Sequence, residues 1–166
     1  MGFFNKIDNE GNFAPFTMHY AGLPNYEYKD GVCITVDEKN KSLTFKDTMP
    51  FKKNRYPEIN LSFNKIIGAE FITQNELKDA SVIGRAVVGG ILFGGIGAII
   101  GGMSGQGQKI TSKRYFAISY TGNTDDPKTI LLDDNFQGAN RLKKRLNEIA
   151  AENKPPVVED KGPIEL

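Results

Sequence analysis

The side chains that could carry out chemistry are few, and they are spread along the chain. There is one histidine, His19, and one cysteine, Cys33. A zinc site or a nucleophile–base pair needs several such groups at ligand or hydrogen-bonding distance, and the sequence has no second histidine or cysteine to supply them. We therefore expect His19 to be a packed or surface side chain and Cys33 to be a small apolar residue of a strand.

The densest group of carboxylates lies near residue 130 and comprises Asp125, Asp126, Asp133 and Asp134. These aspartates lack the ordered oxygen-ligand spacing of a calcium loop. The run T-G-N-T-D-D-P-K is instead typical of a hairpin turn. We predict no catalytic residue, no metal and no cofactor, and we expect the protein not to be an enzyme.

Basic residues do not dominate the chain, which has 21 lysines and arginines, 20 acidic residues and a formal charge of +1. This balance argues against nucleic acid as a partner, because such binding relies on an excess of positive charge. The cluster Lys52, Lys53 and Arg55 is predicted to be a solvated part of the loop at residues 46–56.

The most unusual stretch is residues 81–107, S-V-I-G-R-A-V-V-G-G-I-L-F-G-G-I-G-A-I-I-G-G-M-S-G-Q-G, hereafter the glycine-rich segment. It contains ten of the eighteen glycines and no acidic residue, and its one charged residue is Arg85. A phosphate-binding loop is not supported, because no Lys-Ser or Lys-Thr follows in register and no βαβ pattern surrounds the segment.

Glycines four residues apart, which allow helix backbones to approach closely, occur in this segment. Residues 86–103 carry no charge, which is near the minimum length for a membrane-spanning helix. However, Gly94-Gly95 favours a turn, and the two halves would be only about 20 Å and about 12 Å long as helices. We therefore predict a helical hairpin formed by residues 81–93 and 96–103, with both ends on the same side.

Two roles for this predicted hairpin stay open. In the first, it packs on protein, either the domain itself or a second copy, through residues Gly90, Ile91, Leu92, Phe93, Gly94, Gly97, Ile99, Ile100, Gly101 and Gly105. In the second, it enters a lipid surface, and four basic residues at its ends attract anionic headgroups. These residues are Arg85, Lys109, Lys113 and Arg114.

Alternation of apolar and polar residues predicts antiparallel strands on both sides of the segment. A hairpin is expected over Val32–Val36 and Leu43–Phe45, with D-E-K-N-K at its turn. Further strands are expected over 13–20, 59–63, 66–73, 109–120 and 129–132. Gly68 within the strand at 66–73 is predicted to mark a bulge.

An amphipathic helix is predicted over residues 135–152, with Asn135 as its N-cap. Its apolar face is expected to contain Phe136, Ala139, Leu142, Leu146 and Ile149. The predicted domain spans residues 20–152, between an aromatic-rich arm at 1–19 and a tail at 153–166. We expect this proline-rich tail to be disordered or to order on a partner.

This order of elements, an α+β arrangement of six to seven antiparallel strands followed by a helix, resembles pleckstrin-homology-like domains. G-L-P at residues 22–24, N-K-I-I-G-A-E-F-I-T at 64–73 and the glycine-rich segment itself are similar to small bacterial and phage proteins of this fold. In those proteins a glycine-rich hydrophobic stretch interrupts the sheet. The resemblance covers roughly residues 20–150 and implies a binding role without a reaction.

Lipid-binding members of the fold hold phosphate headgroups with a basic loop between their first strands. We take the turn at 37–41, which has mixed charge, as the corresponding loop, so phosphoinositide recognition is not supported. The expected function is a cytoplasmic binding or scaffold protein that contacts a protein partner or itself as a homo-oligomer. The alternatives are a peripheral membrane protein anchored by the glycine-rich segment and a phage-encoded inhibitor of a host protein.

Overall fold

The computed structural model describes residues 15–48, 55–77, 113–124 and 126–153, together with the backbone of residues 85–88 and 91–94. The strands within these residues are β1 (Phe16–Ala21), β2 (Gly31–Asp37), β3 (Ser42–Asp47), β4 (Ile59–Ser62), β5 (Ile66–Thr73), β6 (Arg85–Val88), β7 (Ile91–Gly94), β8 (Arg114–Thr121) and β9 (Pro127–Asp133). A 3₁₀ turn, Phe63–Lys65, joins β4 to β5, and the C-terminal helix α1 spans Ala139–Asn153.

Seven of these strands form one antiparallel sheet in the order β4-β3-β2-β1-β9-β8-β5. The expectation of six to seven antiparallel strands and a C-terminal helix is confirmed. β1 joins the two halves of the sheet, because its first residues pair with β2 while His19 and Ala21 pair with β9. The sheet therefore includes residues 16–19, which the sequence patterns placed in the N-terminal arm.

The hydrophobic core lies between this sheet and α1. Val32, Ile34 and Val36 of β2 face inwards, as their alternation predicts, and all are at most 2 % exposed. The buried face of α1 matches the predicted one and consists of Ala139, Leu142, Leu146, Ile149 and Ala150. Phe136 packs against the same core, edge-to-face with Phe116 at a centroid distance of 5.4 Å.

The predicted start of the helix is wrong by four residues. The backbone N–H of Asn135 donates to Oδ1 of Asp133 at 2.9 Å, which holds Asn135 in the turn after β9 rather than at a helix cap. Gly138 has φ 90°, a left-handed conformation that a right-handed helix cannot include. The helix therefore begins at Ala139.

Side-chain amides attach α1 to the edge strand β5. Asn147 accepts a hydrogen bond from the N–H of Ala69 at 2.8 Å and donates to the carbonyl of Ala69 at 2.9 Å. These bonds satisfy an edge backbone group that would otherwise need solvent or another strand. The register of β5 against β8 shifts between Ile66 and Gly68, so the predicted bulge is confirmed.

Candidate functional site

The two ends of the glycine-rich region meet at the end of the sheet. Thr73, the last residue of β5, is the register partner of Arg114, the first residue of β8. One residue further out, the backbone N–H of Gln74 donates to the carbonyl oxygen of Lys113 at 2.9 Å. The chain between Gln74 and Lys113, hereafter the excursion, thus starts and ends at the same place, as the sequence predicted.

A capping box directs the chain out of β5. Oγ1 of Thr73 accepts a hydrogen bond from the N–H of Glu76 at 3.3 Å, and the Glu76 carboxylate accepts from the N–H of Thr73 at 2.7 Å. This reciprocal pair is the arrangement that starts a helix in T-x-x-E sequences. A helical turn at residues 74–77 follows, and its Leu77 is only 2 % exposed. The sequence T-Q-N-E carries this signal, but our sequence analysis did not use it.

The sheet formed by β5, β8 and β9 is buried on both faces. Its inner face packs on α1 as part of the main core. Its outer face, the side turned away from α1, carries the alternate residues, which lie outside that core and are at most 3 % exposed: Ile72, Tyr115, Ala117, Ser119, Thr129 and Leu131. An outer face that is apolar and buried needs a covering element.

The covering element includes β6 and β7, which form a separate two-stranded antiparallel sheet with Val88 opposite Ile91 and Arg85 opposite Gly94. β7 lies against β9, β5 and β8. Because α1 occupies the inner face, this hairpin lies on the outer face. β7, which belongs to the glycine-rich segment, therefore packs on the sheet of its own domain.

The predicted helix at 81–93 is wrong for the described residues, because 85–88 and 91–94 are strands. The sequence has a signal for this hairpin: two short apolar runs separated by Gly89-Gly90, a pair typical of a two-residue hairpin loop. Of the predicted contact residues, Ile91, Leu92, Phe93 and Gly94 form β7. The others lie outside the described residues, namely Gly90, Gly97, Ile99, Ile100, Gly101, Gly105 and Lys109.

Small side chains on the outer face permit the close approach of the hairpin. Ser119 is the direct cross-strand partner of Thr129, and Gly68 and Ala117 lie next to it. Among the described residues, the hydroxyls of Ser119 and Thr129 are buried without a hydrogen-bond partner. A buried unpaired hydroxyl costs about 1–3 kcal/mol, so polar pairing with described residues does not stabilise this part of the face.

The basic residues at the base of the segment are engaged within the domain. The ammonium of Lys113 lies 3.9 Å from the ring centroid of Tyr20 and 5.4 Å from that of Tyr115. Burial lowers the pKa of this ammonium. Nε of Arg114 lies 2.6 Å from Oδ2 of Asp134, and its guanidinium stacks on Phe71. These contacts compete with the predicted binding of Lys113 and Arg114 to an anionic surface; of Arg85, only the backbone, in β6, is described.

The aromatic partner of Lys113 is itself fixed by a carboxylate. The hydroxyl of Tyr20 donates to Oδ2 of Asp133 at 2.6 Å. Burial, together with this hydrogen bond, raises the pKa of Tyr20. The ring also meets Tyr115 edge-to-face at 5.3 Å. Tyr20, Lys113 and Tyr115 thus tie β1 to the base of the glycine-rich segment.

His19 is buried and has two backbone partners, in agreement with a packed residue. Its Nδ1 lies 3.0 Å from the carbonyl of Glu27, and its Nε2 lies 3.2 Å from the backbone N–H of Leu23. Since Nε2 must accept from that N–H, Nδ1 carries the proton and the ring is neutral. Burial lowers the pKa of His19. No group of acidic, histidine or cysteine side chains in the described part of the chain could hold a metal ion.

The loop between the first two strands differs from the one that we expected. Because β1 precedes the predicted hairpin, residues 22–30 form the first loop, and the turn at 37–41 is the second. The first loop contains Glu27, Lys29 and Asp30, so its charge is also mixed. Arg55 binds Oδ1 of Asp30 at 2.6 Å and Oδ2 of Asp47 at 3.3 Å, and is therefore not simply solvated. Lys52 and Lys53 lie outside the described residues.

A cavity of about 170 Å³ lies beside the first loop, between β4 and the turn joining β8 to β9. Its floor is apolar and includes Phe45, Leu61 and Ile130, which are at most 6 % exposed. Its rim is polar and includes Lys65 and Lys128. The sequence analysis did not identify this cavity, because its walls come from strands far apart in sequence.

Comparison with known families gives one match. A family model described as a glycine zipper-containing PH domain matches residues 24–130, which is more than half of the chain. The comparisons with curated proteins and with solved structures found no match. In the described residues, no helix is long and apolar enough to cross a membrane.

Proposed function

The chain belongs to the family of glycine zipper-containing PH domains, and from this premise we propose that it is a cytoplasmic, non-enzymatic binding module whose contact element is the glycine-rich segment. Domains of the PH type are binding or scaffold modules, and membership supports a role of that class. The proposal goes further, because it assigns the contact to residues 81–107 and the partner to protein, with self-association as its testable form.

The observation that carries the proposal is the position of β7 against β5, β8 and β9. The outer face of β5, β8 and β9 receives a glycine-rich hairpin, and the same face on a second copy would offer the same surface. The ends of the excursion are joined by a backbone hydrogen bond. The hairpin can therefore leave the outer face and return to it without disturbing the seven-stranded sheet.

The separate two-stranded sheet supports the same conclusion. β6 and β7 pair only with each other among the described strands. Each strand therefore has one edge whose backbone N–H and C=O groups are not hydrogen-bonded to another described strand. Such edges readily pair with another chain. Self-association through this hairpin would satisfy those groups.

The test is sedimentation velocity of the full chain over a range of concentrations, with Gly97→Leu and Gly101→Leu compared with Gly97→Ala and Gly101→Ala. We expect self-association of the wild type and an association constant at least about tenfold lower in the leucine variants, corresponding to ~1.4 kcal/mol. The alanine variants should change it much less, because close glycine packing usually tolerates one methyl group better than an isobutyl group.

A wild type that stays monomeric, or leucine variants that associate as well as the alanine variants, would contradict the proposal. Flotation with anionic phospholipid vesicles tests the membrane alternative in the same samples. If the intact chain floats with the vesicles and deletion of residues 82–103 abolishes this, lipid is the partner and the protein-contact proposal fails.

A further inference from the structure

We infer that the cavity between β4 and the β8–β9 turn is a docking site for a short segment of the same chain, residues 157–160, with the sequence V-V-E-D. This contact does not involve the glycine-rich segment and does not depend on the function proposed above. It is an interaction surface for an extended peptide that places aliphatic side chains on the floor and carboxylates at the rim.

The helix α1 ends close to Lys65, a residue of the cavity. Nδ2 of Asn153, the last residue of α1, donates to the carbonyl of Phe63 at 2.6 Å and to that of Ile66 at 3.2 Å. These two carbonyls flank Lys65, which lines the cavity. The chain that continues from α1 therefore begins beside the rim. Four extended residues reach about 13 Å, so Val157 can lie up to that distance from Asn153 on the side of Lys65.

The volume and the apolar floor of the cavity suit an aliphatic side chain. Phe45, Leu61 and Ile130, which belong to the main core, form an apolar floor beneath the opening of the cavity. Cavities of about 150 Å³ lined by apolar side chains can hold a molecule of the size of benzene. The volume here, about 170 Å³, therefore accommodates a branched aliphatic side chain such as valine.

The charges at the rim of the cavity are complementary to those of the segment. Nζ of Lys65 donates to Oδ1 of Asn123 at 2.9 Å across the rim, and Lys128 lines the same cavity. Among the described residues, neither lysine has a carboxylate within ion-pair distance. Glu159 and Asp160 follow the two valines directly. A segment with its valines on the floor therefore brings two carboxylates to the ammonium groups of these two lysines, which have no ion-pair partner among the described residues.

The sequence between α1 and the valines fits an extended path. Pro155 and Pro156 cannot continue the helix, and two consecutive prolines favour the polyproline II conformation. That conformation has about 3.1 Å per residue and little entropy to lose on docking. The two prolines therefore favour an extended acidic segment after α1.

The test uses ¹⁵N-labelled full-length protein and measures the heteronuclear NOE and amide exchange of residues 157–160. In the wild type we expect NOE values close to those of α1. In Lys65→Glu/Lys128→Glu these values should fall and amide exchange should become at least about tenfold faster. Adding Glu159→Lys/Asp160→Lys to that variant should restore protection, because the charges are then complementary again. Lys39→Glu, an exposed position in the β2–β3 turn, is the matched control and should leave residues 157–160 unchanged.

The chemical shifts of β2 and α1 in the same spectra report whether each variant is folded. Low NOE values for residues 157–160 in the folded wild type would overturn the inference. So would charge-reversed variants that retain wild-type protection. Protection that rises with protein concentration would place the segment in the cavity of a second copy, and would overturn the intramolecular contact.

Discussion

The backbone N–H of Gln74 donates a 2.9 Å hydrogen bond to the carbonyl of Lys113, and this bond closes the base of the glycine-rich excursion. The side chain of Lys113 then lies over Tyr20, so the residue that ends the excursion also fastens it to β1. The base of the excursion is thus held both by this backbone hydrogen bond and by a cation–π contact. Each part can be tested separately.

Replacing Lys113 with methionine keeps an unbranched side chain of similar length but removes the charge above Tyr20. We expect amide exchange in residues 85–88 and 91–94 to accelerate by about 2- to 30-fold, the equivalent of a cation–π contact of about 0.5–2 kcal/mol. Exchange in β2 and β3 should not change, because the core is untouched. The measurement is native-state hydrogen exchange of the full chain.

Two further variants control for that result. Lys39→Met removes a charge from the exposed β2–β3 turn, which lies beside Phe63 at the other end of the sheet, and it should leave β6 and β7 as they are. Lys113→Arg retains the cation and should restore slow exchange. If Lys113→Met accelerates exchange equally throughout the sheet, the contact supports the whole domain rather than the hairpin.

Stability is expected to depend on the protonation of His19. The neutral ring accepts a hydrogen bond from Leu23, and burial lowers the pKa of His19 below its usual 6.5. The unfolded chain therefore binds a proton at a higher pH than the folded one, so the free energy of unfolding should decrease as the pH falls through about 6.5. One proton accounts for at most about 1.4 kcal/mol per pH unit.

Urea unfolding of the wild type and of His19→Gln between pH 7.5 and pH 5 measures this effect. The difference in the free energy of unfolding between the two proteins should shrink as the pH decreases. Changes in this free energy that come from carboxylates are common to both proteins. Since His19 is the single histidine, its ring signals can be titrated directly by NMR. A ring pKa at or above 6.5 would be incompatible with the neutral, buried role.

Gly22 is expected to be among the least replaceable residues of the first loop. It has φ +94°, and a Cβ atom there would overlap the carbonyl oxygen of Thr129 and lie 2.8 Å from Cα of Ile130. Gly22→Ala should lower the free energy of unfolding by at least about 2 kcal/mol, from left-handed strain and from crowding against β9. Chemical denaturation measures the loss.

Asn25→Ala is the matched control, because Asn25 lies in the same loop, also has a positive φ, 67°, and already carries an exposed Cβ. It should cost less than about 1 kcal/mol, since no new atom is forced against a strand. A loss at Gly22 no larger than that at Asn25 would contradict the crowding against β9.

Much of this architecture follows from local patterns. The alternation around Val32, Ile34 and Val36 predicted β2, and the three- and four-residue spacing of Leu142, Leu146 and Ile149 predicted the buried face of α1. These patterns are reliable because each element must bury one face against the same core. The start of α1 was less predictable, because it depends on the hydrogen bond between Asp133 and Asn135 and on the left-handed Gly138.

The sequence by itself determined that strands precede and follow a glycine-rich excursion, that a C-terminal helix comes after them, and that the two ends of the excursion lie close together. Only the tertiary structure decided what the excursion packs on. Tyr115, Ala117 and Ser119 alternate with core residues in one strand, and a single strand cannot reveal that both of its faces are buried. That information comes from β5 and β9 beside it and β7 above it, because these strands meet β8 only when the chain folds.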